Sequence, residues 1–140
     1  DRVMLETSAG LCLDTGHLLA AGADPVAVMD AWAYRVRHVH LKDVHAATAE
    51  QVRDGVVSYA DAVAGGMYVP VGTGDVAVAD MLTELDRAGY DGWIVVEQDR
   101  RVVTAPADGS CASIPARDDA AHAYEFLTTF DAAAHREVAS

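Results

Sequence analysis

Three short apolar runs each end on residues that can bind a metal ion or move a proton. They are Leu11 to Asp14 (LCLD, continued by Thr15-Gly16-His17), Val36 to Val44 (VRHVHLKDV) and Trp93 to Asp99 (WIVVEQD). Read as strands, their side chains alternate, so His38, His40 and Lys42 share one face while Val39 and Leu41 share the other. Helices must cover the apolar face, which leaves the imidazoles and the ammonium facing the opposite side of the sheet. Asp14, His40 and Glu97 then meet at the strand ends as two carboxylates and one imidazole. Such a set suits Mn²⁺, Co²⁺ or Mg²⁺, with Zn²⁺ as an alternative, better than a thiolate site of the structural zinc type. His17, three residues beyond Asp14, is placed to reach a substrate oxygen and to act as acid or base. His38, one step deeper than His40, is placed to hold a metal ligand in orientation by a hydrogen bond. Lys42 lies one step nearer the rim, within reach of a substrate.

Each residue also has a plain structural role. Asp14 can cap the next turn, His38 or His40 can be an interior histidine with its hydrogen bonds met, Glu97 can pair with Arg100 or Arg101, and Lys42 can be a solvated rim charge. Cys12 reads as a small inward core filler, and His45, His122 and His135 as surface groups. The metal reading rests on the conjunction of three separate strands that each end in a ligand type.

The elements that must position these residues are legible in outline. Residues 1–7 read as the tail of a helix that begins earlier, so a preceding segment is expected. Asp24-Pro25 is an N-cap followed by proline at the first helical position, and it predicts a helix over 25–34 with Val28, Met29 and Trp32 inward. The central strand is expected at 36–43. A helical pattern then runs through Val52, Val56, Tyr59 and Val63 to Gly65-Gly66, and a loop with a short extended piece covers 67–76. A helix opened by Asp75 carries Met81, Leu82 and Leu85 to Gly89, and the third strand is expected at 92–98. Residues 99–116 read as a lid or rim loop. A last helix over 117–135 is expected to turn Ala121, Tyr124, Leu127 and Phe130 inward. Strands alternating with helices imply a parallel α/β sheet, and three strands cannot close on themselves. The expectation is therefore one partial domain over 1–140, the C-terminal part of a larger barrel and roughly its last three β/α units, completed by an N-terminal half-barrel or by a second copy.

Composition narrows the function. A hydrophobic content of 51% supports a core, and 22 acidic against 10 basic residues give a net charge of −12. A polyphosphate would be repelled, so nucleic acid and anionic membrane are disfavoured partners. Apolar stretches are broken by charges well short of a membrane span, and a cytoplasmic location is expected. Two cysteines, Cys12 and Cys111, are read as free thiols.

The blocks LDTGHLLAAGADP, RHVHLKDV, PVGTGDV and GYDGWIVVEQD, in that order, resemble the xylose-isomerase-like TIM-barrel superfamily of sugar isomerases and epimerases. More narrowly, SYADAVAGGMYVPVGTGDV and VVEQD resemble the inosose dehydratases of inositol catabolism. The resemblance implies a divalent-metal lyase with Asp14, His40 and Glu97 as ligands, and a fourth ligand, a glutamate, upstream of residue 1; Glu6 lies in the helical lead-in and is not that residue. It also implies a polyol or sugar substrate contacted by His17. Aldose-ketose isomerisation or epimerisation is the nearest alternative, because all these reactions begin by removing a proton beside a metal-bound carbonyl. The apurinic endonuclease barrel shares the D-T-x-H and H-x-x-D pieces, but Tyr68 stands where that family places a metal histidine. A non-catalytic half-barrel is the third reading.

Overall fold

The computed structural model describes residues 2–100 and 115–137. Its centre is a three-stranded parallel sheet in the order β1 (Leu11–Asp14), β2 (Val36–Leu41), β5 (Ile94–Val96). The rest of the frame is α1 (Arg2–Glu6), α2 (Thr15–Ala20), α3 (Pro25–Trp32), β3 (Asp43–Val44), α4 (Ala46–Arg53), α5 (Tyr59–Ala64), β4 (Tyr68–Val69), α6 (Val78–Arg87) and α7 (Pro115–Glu137). The parallel α/β architecture expected from the strand-helix alternation is present, and among the described residues the sheet does not close into a barrel.

Register places the site. Asp14 lies beside His40, and His40 beside Val95, so Asp14, His40 and, two residues on from Val95, Glu97 share one face of the sheet. On the other face Leu13, Val39 and Leu41 are buried together with Met29 of α3 and Met81, Leu82 and Leu85 of α6. Asp24 caps α3 as expected, accepting from the backbone N–H groups of Val26 and Ala27 at 2.9 and 3.4 Å. The lead-in helix is tied down by Arg35, whose guanidinium donates to the carbonyls of Met4, Thr7 and Ala9.

Several local expectations are corrected. Thr15-Gly16-His17, expected to turn out of the first strand, begin a helix, Thr15–Ala20, capped by Asp14. The central strand ends at Leu41 rather than 43, because the Thr15 hydroxyl takes both backbone groups of Lys42 out of the ladder. Asp43 and Val44 turn away and pair antiparallel with Val69 and Tyr68. The pattern from Val52 to Val63 is two helices, since Gly55 adopts φ +72° and Ser58 starts a new helix by capping Asp61 N–H. Asp75 does not open α6, which begins at Val78; its carboxylate accepts from Ala46 N–H at 2.8 Å, at the start of α4. The third strand is 94–96, although Val39 N–H to Trp93 O and Glu97 N–H to Leu41 O extend its ladder by one residue at each end. On α7 the buried positions are Asp119 and Ala123, with Phe126 and Leu127 partly covered, while Ala121 and Tyr124 are exposed; Phe130 lies outside the described side chains. Cys12 is exposed, not a core filler, because it shares the face of His38 and the helices cover the other face. Cys111 and residues 101–114 of the lid expected over 99–116 lie outside the described residues. No described helix is long and apolar enough to cross a membrane.

Candidate metal centre

Three strand ends bring three ligand types to one point. Asp14, His40 and Glu97 each offer a donor atom, and these atoms lie within 4.8 Å of one another. His40 Nδ1 is 3.1 Å from Glu97 Oε1 and 3.8 Å from Asp14 Oδ2. Donors bound to one ion at about 2.0–2.2 Å stand roughly 3–4 Å apart, so this set fits a divalent cation with little rearrangement. Asp14 Oδ1 caps α2 by accepting from His17 N–H at 2.8 Å, and Oδ2 faces the cluster. Glu97 pairs with His40 and Lys42, not with Arg100, which reaches Asp119 at 3.0 Å instead.

His17 stands at the edge of this cluster. Its Nδ1 is 3.2 Å from Asp14 Oδ2, and its Nε2 is 3.8 Å from Asp99 Oδ2 and 3.4 Å from Lys42 Nζ. It also lines a cavity of about 390 Å³ with Ala20, Ala49, Val52, Tyr59 and Tyr68. His38 meets His40 edge to face, ring centroids 5.0 Å apart, so it packs beside that imidazole. His45 and His122 are exposed, and the side chain of His135 lies outside the described residues.

Lys42 departs most from expectation. It is not a rim charge but 2% exposed, with Nζ 2.9 Å from both Glu97 Oε2 and Asp99 Oδ2 and 3.4 Å from Asp14 Oδ2. Its stem lies against Gly16, where a Cβ would come within 2.8 Å of Lys42 Cγ. Burial alone would lower the ammonium's pKa, but the hydrogen bonds to Asp99 and Glu97 outweigh it and raise the value above the ordinary range. In return, the hydrogen bond from Lys42 holds the Glu97 carboxyl below its ordinary value. Tyr68 lies beneath Lys42 Nζ, 5.3 Å from ring centre to nitrogen, and its hydroxyl meets that of Tyr59 at 3.1 Å. Burial first, and then the Tyr59 hydrogen bond, push the Tyr68 phenol well above its usual pKa.

Four residues here escaped the sequence reading. Asp99 follows Glu97 at the next same-face position, so the alternation that selects one selects the other. Thr15 and Tyr68 act through contacts 27 residues or more away in sequence or across a separate hairpin, and no local pattern marks them. Asp43 is fully buried; Oδ1 accepts from Val44 and Val76 N–H, and Oδ2 from Gly72 and Gly74 N–H, at 2.8 to 3.0 Å. It folds the VGTGDV loop around a carboxylate.

Comparison with known proteins decides the family. The model of the xylose isomerase-like TIM barrel family matches residues 1–130. The chain belongs to that family. Among the relatives of this TIM-barrel chain, an inosose dehydratase from Geobacillus thermodenitrificans is 41% identical over 103 residues, 71% of this chain and 35% of the relative. A rhizopine catabolism protein from Rhizobium meliloti is 40% identical over 102 residues, 71% of this chain and 31% of the relative. A xylose isomerase domain protein from Planctomyces limnophilus superposes with a TM-score of 0.58 at 26% identity, over 86% of this chain and 37% of that one. A D-tagatose 3-epimerase-like protein, at 18% identity and a TM-score of 0.56 over 92% of this chain and 37% of that one, shares the fold. The chain thus spans about a third of the length of the curated relatives it matches.

Proposed function

We propose that this chain carries most of the metal site of a divalent-metal-dependent enzyme that dehydrates a 2-keto-inositol, as its inosose dehydratase relatives are named to do. The observation that supports this best is the convergence of Asp14, His40 and Glu97 within 4.8 Å at the ends of three neighbouring parallel strands. On this reading further β/α units pair with the outer edges of β1 and β5 and add a glutamate as fourth ligand.

A bound Mn²⁺ or Co²⁺ would polarise a ketone and its neighbouring hydroxyl, which makes the adjacent C–H more acidic. Asp14, His40 and Glu97 would hold the ion. His17 is the group of this chain placed to move a proton, with Nδ1 3.2 Å from Asp14 Oδ2 and Nε2 beside Lys42 Nζ and Asp99 Oδ2 at the edge of the cluster. The α-proton leaves to a base, the C–O bond of the β-hydroxyl breaks, and the hydroxyl departs with a proton as water.

The test is turnover of 2-keto-inositol by the full-length protein, with and without chelator, followed by Mn²⁺ or Co²⁺ readdition. Metal-dependent loss of water from the inosose is expected. Turnover of ketoses with none of the inosose would transfer the same site to isomerisation or epimerisation, and activity indifferent to chelation would remove the metal from it.

A further inference from the structure

An ammonium has three N–H donors. Glu97 Oε2 and Asp99 Oδ2 each lie 2.9 Å from Lys42 Nζ, and Asp14 Oδ2 and His17 Nε2 each lie 3.4 Å from it. Four groups of the protein thus surround the ammonium. Nothing about the side chain is loose either. The Thr15 hydroxyl accepts from Lys42 N–H at 2.9 Å and donates to Lys42 O at 2.7 Å, Gly16 leaves room for the stem, and the Tyr68 ring lies under the charge. Glu97 shows the consequence: one oxygen is spent on Lys42 and the other turns to His40.

We infer that Lys42 is a fixed internal counter-ion that weakens cation binding at Asp14, His40 and Glu97, held in place by Asp99, and not a substrate contact. The inference rests on the metal site proposed above. Three carboxylates converge here, and Lys42, itself buried, cancels one of their charges from a few ångströms away. Repulsion between this ammonium and a bound cation grows with the cation's charge. Lys42 therefore disfavours trivalent ions more than divalent ones and keeps the divalent ion exchangeable. Asp99 is a positioning residue: its carboxylate steadies Lys42 and offsets part of that repulsion.

The experiment is a set of binding isotherms for Mn²⁺ and Tb³⁺ on the full-length protein and on Lys42→Met, Asp99→Asn and the double variant, with His40→Ala as the control for the site. Lys42→Met is expected to tighten Mn²⁺ at least about tenfold and Tb³⁺ by more, because the lost repulsion scales with ionic charge. Asp99→Asn should loosen Mn²⁺ severalfold, and the double variant, in which the net charge is restored, should return close to the parent. A folded Lys42→Met whose Mn²⁺ affinity is unchanged or weaker overturns the inference. Should Lys42→Met fail to fold, Asp99→Asn decides, and unchanged or tighter Mn²⁺ binding there is equally fatal. Mn²⁺ binding that His40→Ala abolishes but Lys42→Met leaves alone removes only the counter-ion role, whereas a parent protein that binds no Mn²⁺ removes the metal site and this inference together.

Discussion

Asp43→Asn changes one atom and should cost more stability than most core truncations. The Asp43 carboxylate is fully buried and accepts four backbone N–H groups, two on each oxygen. An amide has one oxygen, so its NH₂ must face two of those N–H donors. Rotation does not help, because both sides of the group present donors. The two confronted N–H groups lose their acceptor in a place water does not enter, at about 1–3 kcal/mol each, and the remaining two bonds lose their charge assistance. The expected loss is about 3–6 kcal/mol, a large part of the 5–15 kcal/mol that holds a typical domain together. For a chain of this length that corresponds to a fall of roughly 10–20 °C in melting temperature. Differential scanning calorimetry and urea denaturation of this chain carrying Asp43→Asn measure it directly. A melting temperature within about 3 °C of the parent would refute the reasoning, since it would mean the VGTGDV loop does not depend on this carboxylate.

His40→Ala and Glu97→Ala should each abolish turnover while leaving the circular dichroism spectrum intact, and full activity in either would eliminate the proposed centre. Acid should destabilise the parent more steeply than Glu97→Gln. The folded Glu97 carboxyl lies below its ordinary value of 4.5, so it contributes stability above that value and loses it as pH falls through the lowered one; parallel acid denaturation curves for the two proteins would contradict this. The Lys42 amine, raised above its ordinary 10.5, keeps its full contribution below that pH and should resist trinitrophenylation at pH 9, where surface lysines react; labelling at the surface rate would show the ion pairs are not maintained. Gly16→Ala places a methyl 2.8 Å from Lys42 Cγ and should cost about 1–3 kcal/mol despite alanine's better helix propensity, which a urea titration would detect as a lowered midpoint.

Period-two alternation was enough to find the strands that carry the candidate site, because a strand that hides Leu13, Val39 and Leu41 under helices must turn Asp14 and His40 the other way. The Asp24-Pro25 start is equally local: proline fixes the first helical φ and the carboxylate finds N–H groups two and three residues on. Where local signals conflicted, the sequence reading failed. Val52 to Val63 keeps a helical period across Gly55, and only the turn geometry reveals two helices. Tyr124 fits an apolar stripe by spacing yet is exposed, because α7 meets the core through Ala123, Phe126 and Leu127 instead.

The chain by itself thus determined the alternation of strands and helices, the polar face of the sheet and the three residue types at its strand ends, since each follows from side-chain period and capping chemistry within a few residues. Only the tertiary structure decided the fate of the charges. A lysine two positions past His40 reads as a rim group until Thr15, from the neighbouring strand end, stops the ladder and Asp99 and Glu97 close over the ammonium. An aspartate in a loop-bound dipeptide reads as ordinary until the backbone of a loop some thirty residues away wraps it. Burial of an ionised group is stable only when partners from other segments satisfy it, and that condition is met in space, not along the chain.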